Sequence, residues 1–275
     1  MLKCSRKYCL VAIAATLLSP QTLAEEAPTA GPGHRLDDAL YQLAPTAVLA
    51  QGLYEGPTPF RELLRFGGFG LGGINPIDGE IIIVDGVVYH ASHRGGKLRR
   101  VEPGEKSPFA YIKNFREDRR LELPAAASLD ELIREIEQQL PSPNLIYALR
   151  IEGRFDYLKL RSVPRQKPPY PPIDKVVKQQ SVYEHRDLVG TIVALRLPGY
   201  LAATSGRGFH MHFVDAERRL GGHVLDLRSP ALSVPVDESR GLNLILPDSP
   251  AFDKANFGAS ADASGAYRRA VRPRD

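Results

Sequence analysis

The chain has 275 residues with 36 Lys or Arg against 32 Asp or Glu, and Lys3, Arg6 and Lys7 account for three of its formal +4. Without that leader the balance is near neutral and basic residues gather only at 268–274, which argues against a nucleic-acid partner. Both cysteines, Cys4 and Cys9, also lie in the leader, which leaves the remainder without disulfides or thiol nucleophiles and any metal to nitrogen and oxygen ligands.

Residues 1–24 read as a secretory signal: a basic start, an apolar run from Cys9 to Leu18, and Thr22-Leu23-Ala24 ahead of Glu25-Glu26, with cleavage expected after Ala24. The run is too short to span a bilayer well, and no later stretch approaches the roughly 18 apolar residues that would. The expectation is an exported protein, periplasmic or secreted, with no membrane contact after signal removal. About 250 mature residues suffice for one large or two medium domains. Residues 25–35 form a polar lead-in expected to be disordered.

Thr58-Pro59 ahead of Phe60, Leu63 and Leu64 predicts a short helix, with Pro in its first turn and Gly67-Gly68 as its stop. Two β runs, 80–84 and 87–89, flank Asp85-Gly86, a two-residue hairpin signal. Glu80 opens the first run, where either a carboxylate facing a cleft or a solvated turn residue would fit. His90 and His93 fall on opposite strand faces before Arg94-Gly95-Gly96 and are assigned to the surface. Ser128-Leu129-Asp130-Glu131 is a capping box, and Leu129, Leu132, Ile133, Ile136 and Leu140 follow at helical spacing until Pro141. Strands are expected at 145–151 and 155–163 around a Glu152-Gly153 turn. Arg161 in the second strand fits a solvent-facing residue as well as a site residue. The proline-dense stretch 164–172 should run as an extended strap, a linker that also packs. Strands resume at 190–197 and 208–214, and the last residues, 258–275, are small and polar without a periodic pattern.

Three of the seven histidines, His210, His212 and His223, fall within fourteen positions. His210 and His212 share a strand face by the period of 2, and a polar loop at 215–220 returns the chain so that His223 stands beside them. Three neutral imidazoles on one face can hold a metal and leave a fourth position open, as in a catalytic zinc site. Spacing alone leaves that reading level with ordinary histidines on a half-exposed strand. A faint echo also links the Gly72-Gly73 entry to the 80–84 strand with the 209–213 entry to 221–225. If it reflects duplication, Glu80 and His223 occupy matching places in two related α+β units.

The segments Asn75-x-x-Asp78-Gly79-Glu80, Arg161-x-Val163-Pro164-Arg165-Gln166-Lys167-Pro168-Pro169-Tyr170-Pro171-Pro172, Gly190-Thr191-Ile192-Val193, Gly208-Phe209-His210-x-His212-Phe213 and Gly221-Gly222-His223-Val224-Leu225 occur in one order. Together they resemble α-acetolactate decarboxylase, over about residues 41–257. The resemblance implies an α+β fold of two related mixed-sheet domains with the metal in a cleft between them. It implies Zn2+ held by His210, His212 and His223, with Glu80 and Arg161 as the polar catalytic pair. It further implies a homodimer that decarboxylates a 2-hydroxy-3-keto acid, 2-acetolactate, to (R)-acetoin without an organic cofactor. On this reading the first domain covers 36–163, the strap 164–174, the second domain with its metal site 175–257, and the polar tail 258–275.

Two positions depart from the family. Its Thr two residues before the motif Asn is Gly73 here, which removes a hydroxyl and should add space. Its active-site Glu from the C-terminal tail aligns with Arg272, leaving Asp262 and Asp275 as the acids nearby. Two other classes therefore stay open: a non-catalytic periplasmic zinc-binding homologue, and a zinc hydrolase in which Glu80 activates water.

Overall fold

The computed structural model describes residues 38–259 together with Gly265, Tyr267, Ala270 and Val271. The leader, the lead-in, Asp262, Arg272 and Asp275 lie outside the described residues. The chain first lays down strands β1 (Ala39–Leu43), β2 (Thr58–Pro59), β3 (Phe69–Gly72), β4 (Glu80–Val84), β5 (Val87–Ala91), β6 (Leu98–Arg100), β7 (Lys106–Ser107) and β8 (Ala110–Lys113). There follow β9 (Arg119–Leu123), β10 (Ile146–Ser162), β11 (Ser181–Leu197), β12 (Gly208–Asp215), β13 (Gly221–Arg228), β14 (Leu232–Ser239) and β15 (Gly241–Ile245). Among the described residues, seven strands form one sheet in the order β15-β1-β8-β3-β4-β5-β6 and six form another in the order β11-β12-β13-β10-β14-β9. The fold is thus a strand-dominated α+β arrangement.

Local chemistry accounts for several elements. Pro59 precedes the short helix Phe60–Leu63, which tightens into a 3-10 turn before Gly67. Asp85 and Gly86 have φ of 54° and 74°, the paired left-handed conformation of a type I′ turn, and they join β4 to β5 as an antiparallel hairpin. Ser128 caps the helix Leu129–Gln139 by accepting from the Glu131 N–H at 3.2 Å. Leu129, Leu132 and Ile136 form its buried face, which packs on β9 and β13.

Glu152-Gly153 is not a turn. Gly153 alone of the two has a positive φ, where a two-residue hairpin of this kind needs both. β10 instead runs on through this point, paired with β11 from Tyr147 opposite Arg196 to Ser162 opposite Ser181. Gly190 lies opposite Gly153, and a Cβ there would come within 2.6 Å of the Phe213 ring. The two long strands help close a ring, since β11 pairs with β12, β12 with β13, β13 with β10, and β10 again with β11. Closure removes exposed edges.

The expected pair of mixed sheets is also corrected. Only the first sheet is mixed, through the parallel β1–β15 pair; the pairings of the second are antiparallel. The strap packs rather than separates: Gln166 N–H donates to the Ile77 carbonyl at 3.0 Å, and the Tyr54 hydroxyl donates to the Pro171 carbonyl at 2.6 Å. It does not divide the sheets either. β9 and β10 precede it yet belong to the second sheet, and β15 lies beyond it yet joins the first. The described residues belong to one compact unit.

The period of 2 sorts side chains between two cores. On β12, Phe209, Met211 and Phe213 join the cluster beneath the helix, while Val214 joins the cluster shared with the first sheet. His210 and His212 alternate with the former set, so they point toward the first sheet, where β4 packs against β12 and β13. β5 is buried almost throughout, which corrects the surface assignment of His90: it is 5% exposed and its Nε2 lies 2.7 Å from the Asp78 carbonyl. His93 is half-buried in the turn that follows.

Candidate metal centre

The loop between β12 and β13 fixes the register of the histidines. Asp215 accepts from the backbone N–H groups of Arg219 and Leu220 at 2.7 and 2.8 Å, which ties the reversal to the end of β12. His212 then stands directly opposite His223, with His210 two residues away on the same face. The three side chains bring one ligand nitrogen each to within 4.8 Å of one another, and Nε2 of His210 lies 3.0 Å from Nε2 of His212.

Hydrogen bonds at the far nitrogens decide what each ring offers. His212 donates from Nδ1 to the Ile81 carbonyl at 2.7 Å, so its Nε2 carries a lone pair. His223 donates from Nε2 to the Val271 carbonyl at 2.7 Å; its Nδ1 is buried without a hydrogen-bond partner. His210 Nδ1 meets the Tyr267 hydroxyl at 3.1 Å. Burial pushes His212 down to about 3 and holds His210 and His223 well below the ordinary histidine range, with the Arg161 charge adding to the effect. Neutral imidazoles are the form that binds metal. An orphaned buried nitrogen of His223 beside the converging Nε2 atoms of His210 and His212 fits a divalent cation, and an all-imidazole set suits zinc among other borderline metals.

Glu80 and Arg161 meet at the same place. Both are buried, at 6% and 4% exposed, so neither the turn reading of Glu80 nor the solvent-facing reading of Arg161 describes them. Arg161 lies opposite His223 in the β10–β13 ladder. Its Nη1 donates to Glu80 Oε1 at 2.7 Å, its Nη2 to the Ala270 carbonyl at 2.8 Å, and its Nε is buried without a partner. Glu80 Oε2 stands 3.4 Å from His212 Nε2. Burial pushes the Glu80 carboxyl up to about 7, against the opposing pull of the Arg161 charge and the Val163 backbone N–H.

The resemblance pointed to the C-terminal tail only through Arg272, and sequence reading missed Tyr267, Ala270 and Val271. Tyr267 and Ala270 are buried and, with Val271, helical; all three contact the cluster, though the segment was expected to be a patternless tail. The signal was present, because positions 267, 270 and 271 follow the i, i+3, i+4 spacing of a helix face. At Gly73 the tip of the Ile77 side chain occupies part of the space, 2.9 Å from where a Cβ would lie. Asn75 of the first motif is structural, pairing both ways with the Gly56 backbone at 2.8 and 3.0 Å. A separate apolar cavity of about 200 Å³ near Tyr54, Tyr170 and Phe252 holds none of the clustered groups.

Comparison with known proteins gives a consistent result. The family model for alpha-acetolactate decarboxylase matches residues 40–259. An alpha-acetolactate decarboxylase of Bacillus licheniformis is 35% identical over 228 residues, covering 83% of this chain and 90% of the relative. One of Methylococcus capsulatus is 34% identical over 230 residues, covering 84% and 88%. The crystal structure of the Bacillus subtilis strain 168 alpha-acetolactate decarboxylase superposes with a TM-score of 0.81 at 32% identity, covering 85% of this chain and 99% of that one.

Proposed function

Because the chain belongs to the alpha-acetolactate decarboxylase family, a family of carboxy-lyases, we propose that it converts 2-acetolactate to (R)-acetoin and carbon dioxide with zinc at its three histidines. The observation that carries this reading is the meeting of three neutral imidazoles, one carboxyl and one guanidinium at the facing surfaces of the two sheets. The substrate is a β-keto acid. As its carboxylate leaves, the electron pair of the broken C–C bond moves into the neighbouring ketone, and a proton must then reach one face of the carbon left behind. A divalent cation held by His210, His212 and His223 supplies Lewis-acid stabilisation of the negative charge that develops on oxygen.

The protein's own groups supply the rest. Arg161 keeps a fixed positive charge, and its unpartnered Nε–H is a donor for the substrate carboxylate. Glu80, buried beside the imidazole cluster, is placed to carry the proton released to one face, the step that sets the enantiomer. Its bond to Arg161 fixes the carboxyl on one side of the imidazole cluster. The reading extends to an exported homodimer, supported by the basic start and apolar run of residues 1–24 and by the family resemblance.

The test is product analysis with racemic 2-acetolactate. Equimolar carbon dioxide and (R)-acetoin above the spontaneous rate are expected. Product at the spontaneous rate alone, or racemic acetoin, would contradict the proposal.

A further inference from the structure

Two of the three histidines take their orientation from the C-terminal segment. His223 is held by the Val271 carbonyl at 2.7 Å and His210 by the Tyr267 hydroxyl at 3.1 Å. The Tyr267 ring is firmly seated, packed against Phe109 at 5.7 Å between centroids and over Gly206, where a Cβ would come within 2.4 Å of it. The Tyr267 hydroxyl also lies 3.4 Å from the Tyr111 hydroxyl, which in turn donates to the Ser205 carbonyl.

The direction of this chain is set at its far end by the Ser205 carbonyl. A carbonyl only accepts, so Tyr111 must spend its hydrogen on Ser205 and is left to accept from Tyr267. When Tyr267 donates to Tyr111 it accepts from His210 Nδ1–H, which puts the lone pair of His210 on Nε2, the atom that faces His212. The Val271 carbonyl does the same for His223 by taking Nε2–H and leaving Nδ1. Ala270, between them, accepts from Arg161. Tyr267, Ala270 and Val271 therefore set both rings and the guanidinium.

We propose that this segment is a positioning element of the metal site, with the Tyr267 hydroxyl and the Val271 carbonyl presenting His210 Nε2 and His223 Nδ1 unprotonated to a divalent cation. The proposal rests on the reading of the three histidines as a metal centre. It makes metal affinity depend on residues that touch no metal.

Zinc affinity of the full chain, measured in competition with a chromophoric chelator, tests it alongside the visible spectrum of the cobalt form. Tyr267→Phe is expected to bind one zinc about 10–100-fold more weakly, the usual cost of losing such a supporting hydrogen bond, to shift the cobalt bands, and to keep the melting temperature of the metal-free protein. Tyr111→Phe cuts the same chain one hydroxyl further out, so zinc should weaken in the same direction by a smaller factor. Unchanged affinity and spectrum in both variants would overturn the proposal and leave the metal site standing. A metal-free Tm lowered as much as the zinc-loaded one would make the hydroxyl merely structural and overturn it too. A full chain that binds zinc no better than His210→Ala would overturn the metal reading beneath it.

Discussion

At His212, one 2.7 Å hydrogen bond to a strand carbonyl determines which nitrogen meets its neighbours, and a carboxylate oxygen 3.4 Å from that nitrogen links the imidazole cluster to the acid–base pair. On the proposed reading, Glu80 is the residue on which proton delivery depends. Glu80→Gln keeps the shape and a hydrogen-bond acceptor for Arg161 but removes the transferable proton. It should retain zinc and slow acetoin formation by roughly 10²-fold or more, the scale expected for a positioned acid–base group; a wild-type rate would sink that role. The histidines were readable in the sequence because period 2 and a short loop are local facts. The burial of Glu80 and Arg161 was not, because their 2.7 Å contact joins positions 81 residues apart, and each alone resembles an ordinary turn or strand residue.

Elements set by local chemistry came out as expected. The Asp85-Gly86 turn and the Ser128 cap are each fixed by a few adjacent residues. The cap is a direct test of that claim: Ser128→Ala should cost about 1 kcal/mol in urea unfolding while acetoin formation stays at the wild-type rate. A loss of activity would show that the helix Leu129–Gln139 bears on the site. β10 and β11 behaved differently. Their length follows from closing a ring with β12 and β13, and no local pattern announces a nonlocal ladder, so Gly153 reads locally as a reversal. The C-terminal turn is intermediate, since its helical spacing is visible at 267, 270 and 271 but one turn is too short to stand out without the surface it covers.

For the whole molecule, the two sheets are joined by more than apolar burial. Lys113 of β8 in the first sheet is 1% exposed and pairs with Asp237 of β14 in the second at 3.0 Å, and with Asp38 beside β1. Lys113→Ala would strand buried carboxylates, so it should destabilise by roughly 3–5 kcal/mol in denaturant unfolding; a loss near zero would mean the pair contributes little to holding the sheets. Whether the facing sheets assemble a catalytic metal centre from His210, His212, His223, Glu80 and Arg161 is decided by removing the metal. The purified chain would be dialysed against a chelator, titrated with zinc, and assayed for acetoin from 2-acetolactate beside His210→Ala. Activity should disappear with the metal, return in proportion to zinc up to one per chain, and never appear in the variant. Turnover that survives chelation, or that His210→Ala retains, would contradict it.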